Sequence, residues 1–541
     1  MQYLHGGDLI ARQLAAQGVT AIYGLCGGHI APIFNSCEAN GIALIDVRHE
    51  QAAGHAADAH ARLTRNIGVA VVTAGPGVTD AVTAVANAYH ARSPMILIGG
   101  AAPLHTRGQG ALQEMPQTEM FQTFTKASFT IDNTADIPAK FHEAFQLALN
   151  GRPGPVFIEV PIDILYGTLP EADIFPKVEV TPVEPELNAM QQIFELVRAA
   201  QRPVLIAGSQ VYWDDASAAL RELTDQTGMP VYTNGGGRGT LPMTHPHCFK
   251  LTRGKALKEA DLALVIGTPL DFRLRYGQGW HDGIKLIQIE NDPAELNHNR
   301  EADVAMIADS RLVLEALAEG LQGVCYDEWL ADVTRMEQAK TAKQAEWEAL
   351  DDAPVNHFRF GAEINQFIDE DTILIGDGGD IVSASAKAIA VTKPGRWLDP
   401  GALGCLGVGV PFALAAQFLN PDKKVLVISG DGSFGFNGFE FETAVRFNLP
   451  LVAIVGLDGA WGQIKNPTKT MLGQAAGTTL AHTRYDKVVE ALGGYGELVE
   501  TPDEIGPALA RAFASGKPAC VNVVLDPAGL AKTNASTPYI V

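Results

Sequence analysis

Two acidic residues close successive apolar runs near the C-terminal end of the chain. They are Asp431 in VLVISGDGS and Asp458 in LVAIVGLDGAW, 27 positions apart. Each follows a β-branched stretch and is accompanied by glycine, so each reads as a carboxylate at the carboxyl end of a strand. Gly430, Gly432 and Ser433 around Asp431 make a turn into a helix, where a close backbone and a helix N-terminus favour an anion. A carboxylate in that place repels phosphate unless a cation sits between them. Mg²⁺ is such a cation, taking one or two carboxylates together with phosphate oxygens and water. Singly, Asp431 reads as a helix-cap residue and Asp458-Gly459 as a turn dipeptide; on adjacent strand ends the pair reads as a metal–diphosphate site. Far upstream, Glu50 stands in RHEQAAGHAADAHAR between a strand end and an Ala-rich helix, the position of a first-turn glutamate on a helix dipole.

The elements that would position these residues repeat a single pattern. Short apolar runs, IALIDV (42–47), IGVAVVTAG (67–75) and SPMILIGG (93–100), alternate with helical stretches, as do RPVLIAGS, ADLALVIGT and IKLIQIEND, and then DTILIGDGG, KKVLVISGDG and LPLVAIVGLDG. Buried parallel strands covered by helices are expected. Two stretches interrupt the alternation: the proline-rich GTLPEADIFPKVEVTPVEPEL (167–187) and the polar helical WLADVTRMEQAKTAKQAEWEALDDAPVNH (329–357). The expected fold is therefore α/β, with three doubly wound parallel-sheet domains at 1–166, 188–328 and 358–541, the last carrying a C-terminal tail.

The 541 residues are too many for one core. Acidic residues outnumber basic ones 62 to 40, a formal charge of −22, which argues against nucleic acid as a partner. No window approaches the roughly 18 uninterrupted apolar residues of a membrane helix, and the amphipathic start MQYLHGGDLIARQLAAQGV is unlike a signal or transit peptide. A cytoplasmic protein is expected. Six cysteines lie scattered without paired spacing, so reduced thiols are expected.

GDGS, followed at this spacing by LDGAW, resembles the cofactor motif of the thiamin diphosphate (ThDP) enzymes of the acetolactate synthase and pyruvate decarboxylase-like superfamily. The resemblance covers nearly the whole chain and implies pyrimidine-binding, central and diphosphate-binding domains in that order. It implies Mg²⁺ held by Asp431, Asp458 and the carbonyl of Ala460, and Glu50 as the carboxyl that protonates the pyrimidine ring. GALGCLGVGVP (401–411) matches the segment that holds the aminopyrimidine, so Gly404 would accept from its amino group and Leu406 would wedge beneath the cofactor. Backbone N–H groups of Gly379 and Asp380, with Gly432 and Ser433, would reach the diphosphate. The cofactor would lie between two subunits of a homodimer or homotetramer, Glu50 of one facing Asp431 of the other. The chain departs from the usual motif in carrying Leu457-Asp458 where two asparagines are common.

Within the superfamily, GLCGGHIAPIF, VRHEQAAGHAA, VTAGPGVTDAVTAVANA and ALQEM are similar to benzaldehyde lyase and related 2-hydroxyacyl-CoA lyases. That similarity places His29 and Gln113 at the reacting carbon, where an imidazole and an amide suit proton transfer to a substrate hydroxyl. Cys26, Trp461 and Gln463 would line the substrate pocket. WGQIKNPTKTMLGQ departs from benzaldehyde lyase, with Gln463 where that enzyme has a small residue. The expected activity is a ThDP- and Mg²⁺-dependent lyase or carboligase interconverting aldehydes and 2-hydroxy ketones (acyloins), acting on small aldehydes, 2-hydroxy ketones or 2-oxo acids. Its alternatives are a 2-oxo acid decarboxylase or acetolactate synthase-like enzyme, a 2-hydroxyacyl-CoA lyase, and a noncatalytic ThDP-binding protein. No marked basic cluster for a CoA phosphate stands out in the central segment, where GGGRG (235–239) is too short for a nucleotide site, and FAD is unsupported. The tail AGLAKTNASTPYIV would either fold over the site as a lid or be a disordered end.

Overall fold

The computed structural model describes residues 3–530. Three six-stranded sheets follow one another along the chain, and every strand pair within them is parallel. The strands are continuous apolar runs because both faces are covered by helices; Gly68–Val72, Leu262–Ile266 and Val452–Leu457 are buried along their whole length. A short antiparallel ribbon, Leu4–His5 against Thr168–Leu169, ties the start of the first domain to its end.

In spatial order the first sheet runs Ala43–Asp46, Ala21–Gly24, Gly68–Val72, Met95–Ala101, Val156–Pro161 and Ala127–Thr130. The third runs Trp397–Leu398, Ile373–Asp377, Val425–Gly430, Val452–Leu457, Ala519–Val524 and Tyr495–Val499. Counted within each domain, both have strand order 2-1-3-4-6-5, whereas the central sheet has order 3-2-1-4-5-6. In an open parallel sheet the crevice forms where the order reverses, beyond the carboxyl ends of the strands. For the first and third sheets that point lies between strands 1 and 3, followed in the chain by residues 25–29 and 73–77 and by residues 378–380 and 431–433.

One continuous hydrophobic core joins the first and third domains. Helix Glu50–Thr64 contributes Ala52, Ala53, Ala56, Ala57 and Ala59, and helix Gly409–Leu419 contributes Phe412, Ala413, Leu414, Ala415 and Ala416. The alanines permit close approach of the two backbones, and Phe412 meets the His55 ring edge-on at 6.0 Å between centroids. The stretch 170–186 has neither helix nor strand. Most of the polar stretch 329–357 belongs to the 22-residue helix Asp327–Glu348, whose Trp329 indole donates to Pro203 O in the central domain and whose Trp347 packs on Phe358 in the third. Its few buried side chains explain why it reads as polar in the sequence. The six cysteines are free, and among the described residues no helix is long and apolar enough to cross a membrane.

Candidate active site

Strands Val425–Gly430 and Val452–Leu457 are neighbours in register, Gly430 opposite Gly456. Asp431 therefore leaves the sheet one residue beyond that pair and Asp458 two residues beyond it. Asp431 opens helix Asp431–Asn437 and is 2 % exposed; its Oδ1 accepts from Gly432 N at 2.8 Å and its Oδ2 from Gly459 N at 2.9 Å. Asp458 Oδ1 accepts from Ala460 N at 3.0 Å. The flanking Gly459 O and Trp461 N are taken by Leu480 N and Thr478 O, so the Ala460 carbonyl points away from that ladder. Burial raises the Asp431 carboxyl to about 6. Burial, and then the charge of Asp431, raises Asp458 to about 7. Two carboxylates held this way are poorly stabilised as anions, and a divalent cation with further oxygen ligands relieves both burdens. The donor set fits Mg²⁺.

The diphosphate side of the turn is shaped by glycine. A Cβ on Gly432 would lie 2.5 Å from the Trp461 ring, and one on Gly379 would lie 2.0 Å from Gln463 Oε1. Trp461 and Gln463 thus close over the two turns expected to carry phosphate. The Ser433 hydroxyl is spent within the fold, donating to Asp377 O at 2.7 Å, so only its backbone N–H is left to offer an anion. Asp380 opens helix Asp380–Ala388; burial raises its carboxyl, which accepts the backbone N–H of Leu530. Asn466 donates to Ala528 O at 3.1 Å. The end of the described chain therefore packs on this side of the site, while the rest of the tail, from Ala531, lies outside the described residues.

The loop of residues 401–408 is held by a residue that sequence reasoning missed. Asp377, fully buried at the end of its strand, accepts Gly407 N at 3.1 Å and Gly409 N at 2.8 Å, and burial raises it to about 6. Gly404 adopts φ +67° and is exposed, with open space where a Cβ would stand. Leu406 is half-buried, between the exposed Leu403 and the buried Val408.

The first domain brings together a second group. Glu50 is the first residue of its helix, 8 % exposed, and burial raises its carboxyl. Its Oε1 lies 3.2 Å from where a Cβ on Gly77 would be. His29 stands against Gly100, burial lowers its imidazole, and Cys26 is exposed beside it on the same loop. Gln113, at φ +62°, packs on Gly75, where a Cβ would come within 2.9 Å of Gln113 Cβ. Glu50 and Gln113 thus flank the 73–77 turn at the reversal point of the first sheet, and His29 lies on the other loop of that point, against Gly100. Among the described residues no hydrogen bond links Glu50 to Asp431 or Asp458. Glu50's neighbours do reach the third domain: Arg48 N donates to Glu440 Oε1 at 2.9 Å, and Asn437 Nδ2 to Gln51 Oε1 at 3.3 Å.

Two features lie elsewhere. Asp225, His245 and His247 of the central domain offer donor atoms within 4.8 Å of one another, but His245 Nε2 is on Asp225 Oδ1 at 2.8 Å and His247 Nδ1 on Thr224 O at 3.0 Å, a hydrogen-bonded cluster closed on itself. A cleft where the three domains meet is lined by Arg62, His90, Arg92, Arg273, Gly235, Gly236 and Asp399; its arginines, which no single stretch of sequence groups, are each paired, Arg62 with Asp58, Arg92 with Glu290 and Glu295, and Arg273 with Asp271.

Comparison with known proteins accords with this layout. Residues 4–120 match the thiamine pyrophosphate enzyme N-terminal TPP binding domain, 190–317 the central domain and 377–523 the C-terminal TPP binding domain. A probable acetolactate synthase from Mycobacterium bovis is 38% identical over 97% of this chain and 96% of its own length. The 2-hydroxyacyl-CoA lyase 2 of Caenorhabditis elegans is 37% identical over 96% of this chain and 89% of its own, and the Homo sapiens protein of that name 35% identical over 96% and 90%. With three matched domains and relatives aligned across almost the whole chain, this protein belongs to the thiamine pyrophosphate enzyme family.

Proposed function

We propose that this chain is a ThDP- and Mg²⁺-dependent carbon–carbon lyase or carboligase acting on aldehydes, 2-hydroxy ketones and 2-oxo acids. The observation that carries the reading is the pair Asp431 and Asp458 on adjacent strand ends, the first buried and the second half-buried, with both carboxyls raised. When bound, ThDP supplies a carbon nucleophile that adds to carbonyl groups and stabilises the carbanion left by bond cleavage. Asp431, Asp458 and the Ala460 carbonyl hold the cation, and backbone N–H groups at Gly379, Asp380, Gly432 and Ser433 face the diphosphate. The Gly404 carbonyl and the Leu406 side chain seat the aminopyrimidine. Glu50, protonated more readily than a solvated glutamate, donates its carboxyl proton to the pyrimidine nitrogen. His29, kept neutral by burial, takes or returns the proton of the substrate hydroxyl while Gln113 orients it. Cys26, Trp461 and Gln463 bound the space left for substrate.

The reading places the complete site between two copies, Glu50 of one facing Asp431 of the other, in a homodimer or homotetramer in the cytoplasm. Phe436 and Phe439, 56 % and 69 % exposed beside the metal turn, supply an apolar face for the second copy.

The similarity to 2-hydroxyacyl-CoA lyase 2 favours one second reading, a lyase whose acyl substrates carry CoA. Incubating the protein with an acyloin, pyruvate and a 2-hydroxyacyl-CoA in parallel, with and without ThDP and Mg²⁺, separates these readings by mass spectrometry. Cofactor-dependent consumption of the acyloin supports the first and of the thioester the second; no turnover of any substrate overturns both.

A further inference from the structure

Gln117 begins the short helix Gln117–Phe121 and is 1 % exposed. Its amide makes three hydrogen bonds. Oε1 accepts Gly75 N at 2.8 Å, while Nε2 donates to Gly100 O at 3.0 Å and to Glu159 Oε2 at 2.8 Å. Glu159 is fixed in turn by Arg107 Nη2 and Thr130 Oγ1, each at 2.8 Å from its Oε1.

The two backbone partners carry the meaning. Gly100 is the penultimate residue of strand Met95–Ala101, and a Cβ there would lie 2.7 Å from His29 Cβ. Gly75, at φ +60° and ψ −109°, starts the turn on which Gln113 packs and which places Gly77 against Glu50. Without Gln117 these two glycine walls, 25 positions apart in the chain, would lose their direct tie. We infer that Gln117 is a positioning residue that fixes the relative placement of His29, Gln113 and Glu50 by bolting the Gly75 turn to the Gly100 strand end. The inference rests on the functional reading above. Only an amide supplies the acceptor for Gly75 and the two donors at neutral pH, and Glu159 requires that the group beside it donate.

Two variants test this, each read in several ways. Gln117→Ala should bind ThDP with Mg²⁺ as wild type does by calorimetry, yet lose turnover on the order of 10²-fold, the scale of a 1 Å misplacement. Amide exchange by mass spectrometry should quicken in the peptide spanning Gly75 and Gly77, with or without cofactor. Gln117→Glu presents a donor only when its new carboxyl is protonated. Its turnover relative to wild type should therefore rise as pH falls, because the ionised form repels Glu159. Wild-type Gly75 exchange in Gln117→Ala, or a pH-independent ratio for Gln117→Glu, overturns the inference. Should Gln117→Ala fail to fold, the pH profile of Gln117→Glu decides alone. Absence of turnover by the wild type would instead sink the functional reading, while Gly75 exchange still reports whether the bolt exists.

Discussion

Glu440 of the third domain accepts the backbone N–H of Arg48 in the first, two residues before Glu50. Burial raises this carboxyl to about 7, and Thr443 Oγ1 donates to its other oxygen at 2.6 Å. The turn leading into the Glu50 helix is thus fastened from another domain. Glu440→Ala should leave that partly buried N–H without its acceptor, at a cost of about 1 kcal/mol. A lower urea midpoint and faster amide exchange at residues 47–51 are the expected readouts; unchanged exchange there would show that the contact does not hold the turn.

Glu50→Gln keeps the shape of the side chain and removes its acid–base function. It should retain ThDP affinity but slow hydrogen–deuterium exchange at the cofactor's C2 by at least about 10²-fold. Near-normal exchange, followed by acid quench and NMR, would remove Glu50 from its assigned role.

Asp431→Ala removes one carboxylate from the proposed cation site and also the acceptor for Gly459 N. ThDP titrated calorimetrically in the presence of Mg²⁺ should bind on the order of tenfold or more weakly, as loss of even an outer partner of a metal ligand costs 10–100-fold. Unchanged affinity would place the cation elsewhere.

The two aspartates also set a pH dependence. Both carboxyls are raised in the folded protein, to about 6 and about 7, above the roughly 3.9 of a solvated aspartate. Between about pH 4 and 7 the folded chain therefore holds more protons than the unfolded one, and these groups make it less stable as pH rises through that window. Mg²⁺ with ThDP binds the ionised pair. Its increase in melting temperature should accordingly be larger at pH 8 than at pH 5.5, with protons released on binding; an equal increase at both would contradict the coupling.

The legible part of this molecule was local. Glycine-ended apolar runs mark the strands, and the pairing of Gly430 with Gly456 bears out the expectation that Asp431 and Asp458 end neighbouring strands. Glu50 lies between a strand end and an Ala-rich helix as its surroundings suggest. What stayed hidden depends on contacts distant in the chain. Gln117 acts on residues 17 and 42 positions away, and Asp377 on backbone groups 30 and 32 positions away. Nothing in MPQTEM or IGDGG distinguishes those side chains from surface or cap residues. The arginines of the three-domain cleft escaped notice for the same reason, since they converge only when the domains pack.

The repeated 2-1-3-4-6-5 order has a consequence for how the chain is held together. Helices Glu50–Thr64 and Gly409–Leu419 each come after the second strand of their own sheet, and they pack on one another. Like elements of two like-connected domains therefore meet face to face, as in the isologous contact of a two-fold dimer, here enclosed in a single polypeptide. Mirror positions have taken on different work: one helix opens on Glu50, and the other follows the Gly404–Leu406 loop. Enlarging Ala56 on one helix or Ala413 on the other should then strain both cofactor-facing turns at once, because the two halves share a single pseudo-symmetric seam.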